Sequence, residues 1–180
     1  MAKYAAFLRG VNLGSNRRVS NADLCAHLEG IGLEAVSAFR GSGNVVFDGS
    51  GSASKLKSQI EEALQKELGY DVVVFLRSAK ELRGIAGAEP FPAKKVAASN
   101  GKLQVALLPK KPTASAKKSV LAMETDEDRL AFGDRELYWL PSGMMRDTTL
   151  KLTEVEKLVG PWTMRTKGTI EQIVAKYFAD

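Results

Sequence analysis

The chain has 180 residues, of which 44% are hydrophobic, and this is the composition of a globular protein with one domain or two small ones. Its net charge of +5 permits an anionic partner without requiring one, and no apolar run approaches a membrane span or a signal-peptide core. A single cysteine, Cys25, excludes an internal disulfide. We therefore expect a soluble, cytoplasmic protein with no membrane partner.

The first half of the chain predicts a strand, a helix, two strands, a helix and a strand, in that order. Apolar residues recur at helical spacing after Ser20, which resembles a helix cap, and again up to Gly69, which ends the second helix. This order of elements is that of a ferredoxin-like unit. The predicted strands are residues 4–8, 34–39, 44–48 and 72–76, and a further helix is predicted at 78–88.

The second half of the chain repeats the same order of elements after a linker, "EPFPAKK", that contains two prolines. We predict an α+β protein of two tandem ferredoxin-like (βαββαβ) units with antiparallel sheets and a C-terminal helix. The first unit with its connecting helix would occupy residues 1–89, and the second unit with the last helix would occupy 90–180. The second-half strands are predicted near 102–108, 129–132, 136–140 and 162–164, and the helices at 113–123, 148–159 and 168–178.

Two loops rich in glycine and arginine should meet at one end of the first sheet. The first two strands of a ferredoxin-like unit run parallel, so the loop "RGVNLGSNRR" lies beside the turn "RGSGN". Glycines let backbone N–H groups approach a ligand, arginines suit phosphate or carboxylate, and the positive end of the first helix points to the same place. The candidate residues for a small anionic or phosphorylated ligand are Arg9, Gly10, Asn12, Gly14, Arg17, Arg40, Gly41, Ser42, Gly43 and Asn44.

Two other functions remain open. The same glycines can serve tight turns and close packing while the arginines form salt bridges, in which case the chain is a structural or protein-interaction module without a ligand. Seven lysines between Lys94 and Lys118, with no acid among them, offer a surface to nucleic acid, although a solvated face is the commoner use of such a run. Neither Gly-rich loop is a Walker A loop or a dinucleotide fingerprint.

The stretch "FRGSGNVVFDG" resembles the RNA-recognition octamer, but Ser42 and Asn44 stand where its two stacking aromatics would be. Strand alternation places Val45 and Phe47 on the face that packs against helices. The last predicted strand is apolar at every position, so we expect both faces of the sheet to be covered. The octamer is therefore interpreted as a signature of the fold.

No catalytic constellation is recognisable, so whether the chain is an enzyme stays open, and no cofactor is predicted. His27, the one histidine, lies close to the apolar stripe of its helix, and Cys25 points in a different direction. One histidine and one cysteine cannot assemble a zinc site within a single chain. Ser42 lies in Gly-Ser-Gly, which lacks the nucleophile-elbow pattern. The sequence does not define the oligomeric state.

Four motifs, "YAAFLRGVNLG", "SGNVVF", "EPF" and "YWLPSG", are similar to those of the bacterial domain-of-unknown-function family sixteen-ninety-seven. The resemblance spans nearly the whole chain and implies a tandem of two ferredoxin-like units. That family carries no established activity, cofactor or catalytic residue, so the resemblance implies no reaction. The chain departs from the family at Ser15, where a second glycine is frequent, and at Thr166 and Lys167, where Asn and Trp usually stand.

Overall fold

The computed structural model of the protein describes residues 1–12, 15, 17–41 and 43–179. This part of the chain is an α+β structure with two four-stranded antiparallel sheets and seven helices. It confirms the predicted α+β class and the antiparallel sheets, while the tandem ferredoxin-like arrangement stays a prediction. It divides into two compact units: unit 1 contains Met1–Leu82 and Tyr177–Asp180, and unit 2 contains Arg83–Lys176. The predicted boundary after residue 89 stays a prediction. No helix within the described ranges is long and apolar enough to cross a membrane.

Unit 1 has the element order that the sequence predicts. Its strands form one antiparallel sheet in the order β2-β3-β1-β4. Ser20 caps the first helix by accepting a hydrogen bond from the backbone N–H of Asp23, and Gly69 ends the second helix in the left-handed conformation. The elements are β1 (Ala2–Arg9), α1 (Asn21–Glu29), β2 (Glu34–Ala38), β3 (Asn44–Gly49), α2 (Ala53–Leu68) and β4 (Val73–Ser78), followed by α3 (Ala79–Gly87).

The core of unit 1 lies between its sheet and the helices α1 and α2. Val45 and Phe47 of β3 pack into this core with leucines of both helices, as the strand alternation predicts. On the opposite face, Phe7, Val46 and Phe75 are also almost fully buried. Both faces of the sheet are therefore covered, and the described sheet presents no aromatic platform of the kind that RNA-recognition domains expose.

Unit 2 has a sheet with the equivalent strand order, β6-β7-β5-β8. Its core contains Trp139 on β7 together with valines of two helices. The helix predicted from residue 148 begins later, at Leu152, because the Thr148 hydroxyl accepts a hydrogen bond from the Leu150 N–H and so forms a local turn. The elements are α4 (Ala93–Ala98), β5 (Gln104–Leu107), α5 (Ala114–Leu121), β6 (Asp128–Phe132), β7 (Glu136–Pro141), α6 (Leu152–Val159), β8 (Thr163–Thr166) and α7 (Lys167–Tyr177), with a short 3₁₀ turn at Met145–Asp147.

Candidate functional site

The loop after β1 and the β2–β3 turn lie side by side at one end of the unit 1 sheet. The Leu8 N–H donates to the Gly43 carbonyl at 2.8 Å, at the end of the β1–β3 ladder. The Asn12 side-chain amide donates to the Gly41 carbonyl at 3.2 Å. Two stretches of sequence separated by about thirty residues thus form one local structure.

The start of α1 is held to the same turn. The Asn21 side-chain amide donates to the Arg40 carbonyl at 3.2 Å. The Asn12 side-chain oxygen accepts a hydrogen bond from the Val19 N–H at 3.0 Å, which folds the loop back onto the helix start. The amides of Asn12 and Asn21 therefore set the shape of the site by bonding to backbone.

Two of the candidate glycines are required by packing. Gly43 has a φ of +73°, and a Cβ there would stand 2.8 Å from Val11 Cγ2. Gly10 has a φ of +98°, and its Cβ would stand 3.1 Å from the Asp71 carbonyl oxygen. Gly41 differs from both, because no atom lies within 4 Å of the place of its Cβ and its residue is exposed. Packing alone does not require a glycine at position 41.

A cleft of about 610 Å³ opens between the loop, the helix start and the turn. Arg18 is the cationic residue among the described residues that line it, and the positive end of the α1 dipole adds to this charge. The Asp23 carboxylate partly offsets this charge, since it accepts a hydrogen bond from the Ser20 hydroxyl at 2.7 Å. The lining residues are Asn12, Arg18, Val19, Ser20, Asn21 and Gly41.

The candidate residues divide into those that line the cleft and those that support it. Asn12 and Gly41 line it. Asn44 supports it, because its side chain is only 1% exposed and donates to the Phe39 carbonyl at 3.1 Å. Arg9 is half-buried where β1 ends, opposite Val73. Gly14 and Ser42 lie outside the described residues.

Two candidate arginines lie against aromatic rings. The Arg17 guanidinium carbon is 4.9 Å from the centre of the Tyr70 ring, and the Tyr70 hydroxyl donates to the Arg17 carbonyl at 3.4 Å. The Arg40 guanidinium carbon is 5.3 Å from the centre of the Phe39 ring. Both are cation–π contacts. Arg18, in the predicted loop but outside the candidate set, is the arginine among the described residues that lines the cleft, and no signal in the sequence separates it from Arg17.

Unit 2 offers a built-in comparison, because the same end of its sheet is assembled in the same way. The Leu108 N–H donates to the Arg135 carbonyl at 2.9 Å, as Leu8 does to Gly43. Here, however, Lys111 of the loop and Asp134 of the turn form an ion pair at 2.8 Å. Hydrogen bonding to Lys111, together with the nearby positive charges, lowers the pKa of Asp134. In unit 2, the Asp134 carboxylate of the chain itself therefore already lies beside the Lys111 ammonium.

The lysines between Lys94 and Lys118 do not gather at one end of the sheet. Lys102 precedes β5 whereas Lys110 and Lys111 follow it, and a strand of four residues separates the two groups by about 13 Å. The Lys117 ammonium lies 5.6 Å from the centre of the Phe132 ring. This arrangement favours separate local roles over one continuous phosphate-binding surface.

Cys25 and His27 form no reactive pair in the described structure. Burial raises the pKa of the Cys25 thiol, which disfavours the thiolate. His27 Nδ1 lies 3.9 Å from a carboxylate oxygen of Glu67. Within residues 1–12, 15, 17–41 and 43–179, no three side chains of His, Cys, Asp or Glu converge as metal ligands would.

Comparison with known proteins places the chain in a family. The family model described as Protein of unknown function (DUF1697) matches residues 1–138. A solved structure of a conserved bacterial protein from Streptococcus pneumoniae has a similar fold, with a TM-score of 0.78 at 22% sequence identity, over 98% of this chain and 99% of that chain. No curated protein matches the chain. The chain belongs to the DUF1697 family, as its motifs indicated.

Proposed function

We propose that the protein binds a small anionic or phosphorylated ligand in the cleft between the loop after β1, the start of α1 and the β2–β3 turn. The observation that carries the proposal is the open cleft of about 610 Å³ with Arg18 and the start of α1 on its wall. Its volume falls in the range of about 300–1,000 Å³ that is usual for small-molecule sites. Arg18 can donate two parallel hydrogen bonds to a phosphate or carboxylate group.

We also propose that the two units are tandem ferredoxin-like units, divided after residue 89, in a cytoplasmic protein. The element order and the matching strand orders of the two sheets support the tandem arrangement. The single cysteine, Cys25, supports the reducing compartment.

The contrast between the two units supports the assignment of the site to unit 1. In both units, one backbone hydrogen bond joins the end of the first strand to the turn between the second and third strands. In unit 2, Asp134 of that turn pairs with Lys111. The sequence of the unit 1 turn, residues 40–44, contains no acidic residue. An external anion would therefore not compete there with a carboxylate of the same turn.

The alternative function, a structural module without a ligand, also has specific support. Gly10 and Gly43 are needed for close packing, and the amides of Asn12 and Asn21 are engaged with backbone carbonyls. Under this alternative the loops are turns only. The two functions differ in one measurable respect, which is whether Arg18 contributes to binding of an anion.

Isothermal titration calorimetry with inorganic phosphate, inorganic pyrophosphate and a nucleoside triphosphate tests the proposal. Arg18→Ala should weaken binding about tenfold or more, because a hydrogen bond to a charged group contributes at least about 1.5 kcal/mol. Lys110→Ala is the matched control, since it removes one positive charge from the equivalent loop of unit 2. It should leave the affinity unchanged.

A second pair of variants tests the turn itself. Gly41→Asp places a carboxylate in the β2–β3 turn, as Asp134 does in the corresponding turn of unit 2. This substitution should abolish binding of the anion. Gly41→Ala adds only a methyl group in open space and should bind like the wild type. Equal losses of affinity in Arg18→Ala and Lys110→Ala would show that only the net charge of the protein matters for binding. If none of the anions binds, the structural module is favoured.

A DNA or RNA oligonucleotide in the same titration separates the nucleic-acid alternative. Binding through the lysines between Lys94 and Lys118 should weaken steeply with salt and should be sensitive to Lys110→Ala. Binding in the cleft should instead respond to Arg18→Ala.

A further inference from the structure

We infer that Tyr177 is a positioning residue for the β2–β3 turn, and thereby for the cleft; its effect on ligand affinity rests on the proposed function. Tyr177 and the turn both belong to unit 1. The Tyr177 hydroxyl lies 3.0 Å from the Ser37 hydroxyl oxygen. Its ring meets the Phe39 ring edge to face, with the ring centres 6.2 Å apart and the planes at 89°. Both contacts are made at the end of β2, where the turn begins.

Phe39 passes this constraint to the turn. Its N–H donates to the Asn44 carbonyl at 2.8 Å, and its carbonyl accepts from the buried Asn44 side chain at 3.1 Å. Its ring contacts both Tyr177 and the guanidinium of Arg40. The backbone of Phe39 is thus tied to β3 through Asn44. Its ring lies between the Tyr177 ring, which restrains it, and the Arg40 guanidinium, which it stabilises.

Arg40 needs such support because its backbone has an unfavourable conformation. Its φ of +59° lies in the left-handed region, which residues with a side chain adopt only when the surroundings impose it. The Arg40 carbonyl accepts from Asn21 and the Gly41 carbonyl accepts from Asn12. A turn that relaxes at Arg40 would therefore release two residues of the cleft wall, although Tyr177 itself does not line the cleft.

Tyr177 is itself well anchored. The Lys3 ammonium lies 3.5 Å from the Tyr177 carbonyl oxygen, and the adjacent Phe178 is only 3% exposed. A side chain on an anchored backbone restricts its neighbours more than one on a mobile segment, since its own conformational entropy is already lost. This makes Tyr177 suited to hold the turn.

Limited trypsin digestion measures the state of the turn without any ligand. Arg40 is exposed, and cleavage after it reports opening of the turn. Tyr177→Leu should raise the rate of this cleavage about fivefold, and Tyr177→Phe should raise it less, because only the hydroxyl is lost. Cleavage after Arg146, in the exposed 3₁₀ turn of unit 2, serves as the internal reference and should not change.

A matched control separates positioning from general stability. Tyr4 stacks on Phe47 with the ring centres 6.0 Å apart, away from the turn in the same sheet. Tyr4→Leu removes a comparable aromatic pair and should not raise cleavage after Arg40 relative to Arg146. Equal acceleration in Tyr4→Leu and Tyr177→Leu would overturn the inference, as would an unchanged cleavage rate in Tyr177→Leu.

The affinity for inorganic pyrophosphate supplies the second readout. If the wild-type protein binds pyrophosphate, Tyr177→Leu should weaken binding about fivefold, with Tyr4→Leu unchanged. Faster cleavage together with an unchanged affinity would overturn the inference. If the wild-type protein binds no anion, the proposed function fails, and the cleavage ratio alone then supports or overturns the positioning of the turn by Tyr177.

Discussion

Replacing Gly43 with alanine should destabilise unit 1 by about 2–4 kcal/mol. A Cβ at this position would stand 2.8 Å from Val11 Cγ2 and 3.1 Å from Leu8 Cβ, so side chains of the core must move. Added volume in a well-packed region costs about 1–3 kcal/mol. The φ of +73° adds roughly 1 kcal/mol for any residue with a side chain.

Two other glycines of unit 1 separate these contributions. Gly32 has a φ of +87° with no atom within 4 Å of its Cβ position, so Gly32→Ala should cost only the conformational part, roughly 1 kcal/mol. Gly41 has neither a positive φ nor a close neighbour, so Gly41→Ala should change the free energy of unfolding by less than about 0.5 kcal/mol. The expected order of destabilisation is Gly43, then Gly32, then Gly41.

Urea denaturation followed by far-UV circular dichroism measures these free energies of unfolding. The two tryptophans, Trp139 and Trp162, belong to unit 2, so their fluorescence follows that unit separately and provides a reference within each sample. If Gly43→Ala were no more destabilising than Gly32→Ala, the close approach of Gly43 to Val11 and Leu8 would have no energetic importance, and the explanation would be wrong.

Two predictions concern unit 2. Trp139→Phe should lower the free energy of unfolding by about 1–3 kcal/mol, because it leaves the buried Asp128 carboxylate without the indole N–H that donates to it at 2.8 Å; an unchanged urea midpoint would contradict this. Lys111→Ala should raise the pKa of Asp134 toward its ordinary value, since hydrogen bonding to Lys111 is the main cause that lowers it. An NMR titration of the Asp134 carboxyl measures this, with Lys110→Ala as the control; equal pKa values in both variants would show that the ion pair is not the cause.

Local sequence patterns predicted the strands of both units and most of their helices, but they missed α4 (Ala93–Ala98), which overlaps the predicted linker. Apolar periodicity, the Ser20 cap and the final Gly69 predicted the helices of unit 1, and alternation predicted that Val45 and Phe47 face the core. These signals work because they depend on neighbours along the chain. The start of α6 was predicted too early, since the turn made by Thr148 is a side-chain interaction that periodicity does not reveal.

The composition of the cleft wall could be predicted only in part. The topology brought the correct two segments together, and Asn12 and Gly41 line the cleft as expected. Asn44 was expected beside them, but its buried amide is bonded to the Phe39 carbonyl, and Arg18 takes the cationic place on the wall. Nothing in the order of residues distinguishes Arg17, which lies on Tyr70, from Arg18 next to it.

The spacing of apolar residues, glycines and caps thus determined the class of fold, the order of elements and the meeting of two distant loops. The three-dimensional packing determined which polar side chains are engaged with backbone and aromatic rings and which line a cleft. The physical reason is that a hydrogen bond or a cation–π contact requires two groups at a defined distance, and those partners are remote in sequence. For this reason, Tyr177 could be related to the turn at Arg40 only once the chain was folded.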